Sequence, residues 1–288
     1  MHSTRDIRHR IRSVGNTARI TKAMQMVAAS KMRKAQEEAL SGRPFVRMLY
    51  RMQRELTSGV DESSHPLLEA REIRKSAVIL IAADRGLCGA LNSNVFRLAL
   101  EFDPLSTLFI AAGRKAAQFV AATRRNLAAE FHYGDVPRFH EARAITSFAR
   151  DLFLKKEVNE VRVVTTQFVN TLTQQAECFE FLPVGKIKAL EIPGAEPEER
   201  LTGAEAECLF EPNQEAILSY LLSHYLNIYI YEALLDAKAS EQSARMVSMK
   251  NATDNANTLI KDLTLEYNKL RQGTITKELL EIAGGQAA

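Results

Sequence analysis

The chain has 288 residues, 46% hydrophobic and 25% charged, enough for one or two domains with a real core. It contains no run of about 18 apolar residues, which excludes a membrane-spanning helix. Its cysteines (Cys88, Cys178 and Cys208) are far apart, odd in number and without metal-ligand spacing, so a reducing compartment is the simple expectation. The net charge of +3 conceals an asymmetry: residues 1–57 carry 13 Lys or Arg against 4 Asp or Glu.

The first segment reads as helix. Ser3 and Asp6 form an S-x-x-D start signal. Ile7, Ile11, Val14, Ala18 and Thr21 follow at three- and four-residue spacing. Ile20, Met24 and Val27 form an adjacent second row, the drift expected of a straight 3.6-residue period. Gly15 weakens the helix, and Pro44 after Ser41-Gly42 should kink or interrupt it. The expectation is a helix over about 4–41, resuming toward 57.

The middle segment alternates. Apolar runs at 75–83 and 107–113 read as buried strands, each followed by a helical stretch. "LAAEFHYGD" reads as a weaker third strand, and "EARAITSFARDLFLKKE" as a clear helix. "EVRVVTTQFVN" and "AECFEFLPV" read as two more strands. This order predicts a mostly parallel sheet with helices on its faces and an antiparallel edge at the end. Residues 184–206 read as a Pro/Gly/Glu loop.

The third segment opens at Pro212 and then runs from Asn213 to Ala283 without proline and with one glycine, Gly273. Met249, Thr253, Ala256, Ile260, Leu263, Tyr267 and Leu270 follow a 4-3 alternation, the spacing of a coiled-coil seam. After Gly273 the apolar positions restart out of phase at Ile275, Leu279 and Ile282. The fold class expected is α/β: a long antiparallel coiled coil of the two terminal helices with an inserted Rossmann-like α/β domain. The domains are expected at 1–57, 58–211 and 212–288.

Site chemistry is sparse. There is no Walker A, GxGxxG, HExxH or GxSxG pattern and no Cys/His ligand cluster. "ADRGLCGALNSN" (83–94) follows a strand and precedes a helix, where backbone N–H groups can hold a phosphate. No lysine is poised to complete such a site, and a tight turn at a surface contact is the plainer reading. His132 and His140 read as loop residues. The basic front end admits a transit peptide, a nucleic-acid-binding arm or a shaft facing acidic protein surfaces. Its helical pattern runs past transit length, and it lacks aromatics before Phe45.

Three stretches carry a resemblance. "IRHRIRSVGNTARITKAMQMVAASKMRKAQ", "DRGLCGALN" and "ARMVSMKNATDNANTLIKDLTLEYNKLRQGTITKELLEIAGG" resemble the gamma subunits of F-type ATP synthases. The resemblance covers both terminal helices and the first strand-turn, while residues 95–210 match only in pattern. It implies a central-stalk rotor that couples proton-driven rotation of a c-subunit ring to ATP synthesis or hydrolysis at beta subunits. The partners implied are the alpha and beta subunits of the catalytic hexamer, the epsilon subunit and the c-ring. Membrane association would be peripheral, through the complex, at the cytoplasmic face of a bacterial plasma membrane. The matrix side of a mitochondrial inner membrane comes second.

The resemblance implies no catalytic residue, cofactor, metal or nucleic acid for this chain. Carried over by motif, the subunit-interface residues implied are Lys22, Met24 and Met26 with Arg245 opposite, Arg271, Gln272 and Thr276 near the end, Arg85 and Cys88 in the turn, and Glu211 in "CLFEP". Ala83 stands where the family usually has Ser, and Cys208 and Phe210 where tyrosines are common, so the detail of the contact around Glu211 stays open. The cysteine-bearing insert of chloroplast relatives is missing, which argues against thiol control. The resemblance begins within the first ten residues, so no transit peptide is expected. A coiled-coil scaffold or a nucleic-acid-binding protein with a Rossmann-like module is the alternative from a different class, and a nucleotide-dependent enzyme a third.

Overall fold

A computed structural model describes residues 4–57, 65–69, 71–184 and 214–285. The elements are α1 (Thr4–Thr57), β1 (Ser76–Ile81), α2 (Leu91–Leu100), β2 (Thr107–Ala112), α3 (Arg114–Ala122), β3 (Asn126–Phe131), α4 (Phe139–Leu154), β4 (Glu160–Phe168), β5 (Gln174–Leu182) and α5 (Gln214–Gly285). They form two compact units, Ser30–Ala244, and Met1–Ala29 with Arg245–Ala288.

Residues 30–244 are built on a five-stranded sheet in the order β3-β2-β1-β4-β5. β1 pairs in parallel with β2 and with β4, β2 in parallel with β3, and β5 closes the edge antiparallel to β4. That is the mixed sheet expected from the alternating pattern. Every residue of β1 is buried, as its unbroken apolar run requires of a strand covered on both faces. Val78, Leu80, Phe109 and Ala111 pack on one face against Val95 and Ala99 of α2 and Ala116 and Val120 of α3. There Phe96 and Phe119 stack with ring centres 4.3 Å apart. Ala77, Ile79, Ile81 and Ile110 pack on the other face against Ile145, Ala149 and Phe153 of α4 and Leu222, Leu226 and Ile230 of α5.

Two local devices close this domain. Gly113 has φ of 97°, and a methyl group there would lie 2.1 Å from the Ala82 carbonyl oxygen, so the β2–α3 turn can press on β1 only as glycine. The Arg125 guanidinium donates to the carbonyls of Ala99, Leu100 and Phe102 at 3.1, 3.1 and 2.8 Å, ending α2. His132 lies in a loop as expected, but His140 belongs to the first turn of α4.

The terminal helices depart from expectation in two respects. α1 runs through Pro44 without a break. A proline removes one N–H from the ladder, and the remaining bonds of a 54-residue helix carry the chain across. Ser3, Pro212 and the 184–206 loop, apart from Val184, lie outside the described residues.

The second departure concerns the seam of the unit formed by residues 1–29 and 245–288. The Thr21 and Thr253 hydroxyls meet at 2.7 Å, and Gly15 lies against Ile260. The helices are therefore antiparallel, with Ala18 opposite Ala256, Val14 opposite Ile260, Ile11 opposite Leu263 and Ile7 opposite Tyr267. Ile7, Ala18, Thr21 and Ala28 are buried on α1, and Met249, Thr253, Ala256 and Leu263 on α5. The 4-3 row on α5 is the seam as read. On α1 the first row continues straight to Ala28, while Ile20 and Val27 of the supposed second row are 61% and 54% exposed. A partner helix supercoils the pair and holds one row in register, which removes the drift of a lone helix.

Candidate functional site

Among the described residues the helical pair ends before α5 does. The register set by Thr21 and Thr253 puts Thr4, the first residue of α1, opposite Leu270. From Arg271 onward α5 has no partner helix among the described residues, and it continues to Gly285, roughly 22 Å at 1.5 Å per residue. Arg271, Gln272, Gly273, Thr274, Ile275 and Thr276 are all exposed, as are Leu279 and Leu280. The phase jump at Gly273 therefore falls just beyond the end of the covered seam. The Thr276 hydroxyl donates to the Gln272 carbonyl at 2.9 Å, which keeps this side chain against its own helix.

The α1 residues singled out lie beside the seam. Lys22 is exposed, with its ammonium 3.3 Å from Gln25 Oε1. Met24 is half-buried, whereas Met26 is 62% exposed. Ile20 and Val27 share one exposed face of α1, and Met26 is exposed on the other flank of the seam. Arg245 is buried, and the register brings it opposite Ala29, one turn beyond Met26. The structure thus brings Lys22, Met24, Met26 and Arg245 to one stretch of the pair. Arg271, Gln272 and Thr276 form a separate group beyond the covered seam. Glu211 lies outside the described residues.

Arg85 and Cys88 sit in the β1–α2 turn of the other unit. Leu87 and Gly89 adopt positive φ, 64° and 61°, which folds the turn tightly. Arg85 is exposed and Cys88 buried. Asn92 pins the turn twice, accepting from Ala83 N at 3.1 Å and donating to Cys88 Sγ at 3.5 Å. Asp84 accepts from Arg114 N at 3.0 Å, so its carboxylate ties this turn to α3.

In an open sheet of this order, a ligand crevice would open at the carboxyl ends of β1 and β4, where the strand order reverses. Here the chain itself fills that region. Ala244 of α5 packs with Ala83, Cys88 and Leu91. The Tyr133 hydroxyl donates to the Ala82 carbonyl at 3.0 Å. The Ser243 hydroxyl donates to the Thr171 carbonyl in the β4–β5 turn at 2.8 Å. The phosphate reading of the 83–94 stretch gains no support from this packing, and the tight-turn reading does.

The largest feature that the sequence did not disclose lies in this seat. Lys238, Ser240, Glu241, Gln242 and Ser243 of α5 are all buried. The Lys238 ammonium stands 3.1 Å from Glu241, 3.9 Å from Asp135 and 5.2 Å from the centre of the Tyr133 ring. Lys31 of α1 reaches the other oxygen of Asp135 at 2.6 Å. The Lys31 ammonium holds the Asp135 carboxyl below its usual range, with Lys238 and Arg85 adding to the effect against partial burial. Burial pushes the Tyr133 phenol well above its ordinary range, and Glu241 adds to it. In sequence, Lys238 and Glu241 at i,i+3 look like any solvated helix pair. Only the apolar residues on both sides of them in the helix hinted at burial.

Among the described residues there is no group of three metal-ligating side chains, and no helix is long and apolar enough to cross a membrane.

A family model described as ATP synthase matches residues 3–288. The ATP synthase gamma chain of Opitutus terrae is 46% identical over 292 residues, covering 100% of this chain and 99% of that protein. That of Methylacidiphilum infernorum is 43% identical over 297 residues, with the same coverage. Among solved structures, a chain from the Euglena gracilis mitochondrial ATP synthase (OSCP/F1/c-ring, rotational state 3) superposes with a TM-score of 0.72 at 19% identity, covering 99% of this chain and 94% of that one. One from the rotor of the same enzyme gives 0.67 at 20% identity, covering 94% and 98%. With a family model over nearly its whole length and relatives above 40% identity from end to end, the chain belongs to the ATP synthase gamma-chain family.

Proposed function

We propose that this chain is the central-stalk rotor subunit of an F-type ATP synthase, coupling rotation of a c-subunit ring to ATP synthesis or hydrolysis on beta subunits. The observation that carries this is an antiparallel helical pair whose longer member overhangs its partner, in a chain 46% identical throughout to a bacterial ATP synthase gamma chain. A stiff two-helix coil suits a shaft, and an uncovered single-helix end suits a bearing supplied by other chains. The solved neighbours come from a rotor and from an assembly of F1 with a c-ring, which supports the same partners here.

In this reading the chain contributes no catalytic group. Lys22, Met24, Met26 and Arg245 face the inner surface of an alpha–beta ring, with the exposed side chains of Ile20, Met26 and Val27 supplying apolar contact. Arg271, Gln272 and Thr276 meet the upper part of that ring, and Arg85 and Cys88 form a turn beneath it. Glu211 belongs to the contact with epsilon and the c-ring. The basic first helix complements acidic partner surfaces. Binding is peripheral, at the cytoplasmic face of a bacterial membrane.

The test is affinity purification of the tagged chain from its own cells, followed by assay of the recovered complex. The expected outcome is alpha, beta, epsilon and c subunits in fixed stoichiometry, with ATP-driven proton pumping. Recovery of the chain with nucleic acid and without those subunits would overturn the reading.

A further inference from the structure

We propose that Lys238 is the residue through which the α/β domain holds helix α5 against turning, with Asp135 extending the same hold to α1. The inference rests on the rotor reading above and concerns residues that this reading does not use.

α5 passes the carboxyl edge of the sheet as a helix buried on nearly every side. From Ala233 to Ala244 only Asp236 is not fully buried. Interdigitated apolar packing already opposes turning of a buried helix, and a directional contact at some distance from the axis adds leverage to that resistance. Lys238 supplies one: its ammonium, 3.1 Å from Glu241 of the same helix, also lies 3.9 Å from Asp135 and 5.2 Å from the centre of the Tyr133 ring, both on the β3–α4 loop. The loop is itself fixed to the sheet, because Tyr133 donates to the Ala82 carbonyl at the end of β1. Asp135 takes a second cation, Lys31, from α1. One loop carboxylate therefore engages a cation from each long helix, and Ser243 adds a hydroxyl bond from α5 to the β4–β5 turn.

The composition of the seat supports a role in holding rather than in folding alone. A buried lysine and glutamate are a costly way to fill space, since neutral residues of similar volume often fold as well or better. Their gain is a fixed direction. Lys238 is in this sense a positioning residue: it touches no substrate, and it acts by keeping the domain and α5 in one angular relation.

The test uses the assembled complex in inverted membrane vesicles. The variant K238M/E241Q neutralises both members of the buried pair, so neither is left as an unpaired charge. D135N leaves that pair intact but removes the negative charge that engages both helices. For each, ATP hydrolysis and ATP-driven proton pumping are measured on the same vesicles, after recovery of all subunits has been confirmed. We expect hydrolysis within about twofold of the parent for both variants. Pumping per ATP should fall by about threefold or more in K238M/E241Q, and by less in D135N. An unchanged ratio in K238M/E241Q would overturn the proposal. So would failure of that variant to assemble, because Lys238 would then serve folding. Parent vesicles that neither pump nor contain the ring subunits would instead overturn the rotor reading itself.

Discussion

Replacing one hydroxyl of the coiled-coil seam tests how its buried hydroxyls are satisfied. Thr253 donates to the Met249 carbonyl at 2.8 Å, so its single proton is used. Thr21 then donates to Thr253 Oγ1 at 2.7 Å, with the Ala18 carbonyl at 3.1 Å as a second acceptor. In Thr253→Val the Thr21 proton returns to Ala18, so no donor is orphaned. The loss is one net hydrogen bond, about 0.5–1.5 kcal/mol, against a gain of up to about 0.8 kcal/mol for the buried methyl. Valine is β-branched like threonine, so helix propensity changes little. Thr21→Val removes the same bond from the other side. Each single variant should therefore cost about 0.5 kcal/mol and the double variant, which keeps neither bond, about 1 kcal/mol, so that the two changes add. Urea unfolding of the full chain, followed by helical circular dichroism, measures all four corners of the cycle. A coupling above about 0.5 kcal/mol in either sense would refute this count of bonds, in which the Ala18 and Met249 carbonyls keep each remaining hydroxyl satisfied. A cost above about 2 kcal/mol for Thr253→Val alone would refute the fallback to Ala18.

Gly113→Ala should destabilise the α/β domain by about 3 kcal/mol, because the new methyl meets backbone at 2.1 Å and φ is positive; thermal unfolding measures it. Gly15→Ala should stabilise the coil by about 1 kcal/mol, since its methyl would only touch Ile260 at ordinary distance, and a lower melting temperature would contradict the packing. Deleting the residues after Gly273 should leave the melting of the domain unchanged while weakening assembly or coupling, and loss of the domain fold would show the free-end description to be wrong. Asp135 has a depressed pKa in the folded chain, so its contribution is present above the unfolded value, about 3.9, and is lost as pH falls through the folded value. Asp135→Asn should therefore lower stability slightly at neutral pH, where that contribution is present, and converge on the parent at acid pH, so that the acid limb of the profile is flatter. Its side chain is 58% exposed, so the effect is small, and a change confined to alkaline pH would refute the assignment.

The sheet was legible because each strand is a compact apolar run between turn residues, and a fully buried strand such as β1 needs nothing else. The α5 seam was legible because a 4-3 alternation sustained over three heptads has few other causes. The α1 stripe was not, because two rows of similar apolarity compete there, and only the partner decides which is covered. Pro44 misled for a related reason: its local cost is real, but a long helix absorbs one missing bond. The seat of Lys238 was invisible because a Lys and a Glu three apart look the same in water and in a core. Of the site residues, Arg271, Gln272 and Thr276 were named through the motif that holds them, and their exposure on α5 is seen only in the structure.

The Thr21–Thr253 pair joins residues 232 apart in the chain. During synthesis at about 5–20 residues per second, α1 therefore waits roughly 10–50 s for the strand of chain that covers its apolar row. The α/β domain is completed in that interval, while the first helix has no mate. This makes the nascent chain a client for whatever shields exposed apolar helices at the ribosome, and it places the closing of the coil last in the order of folding.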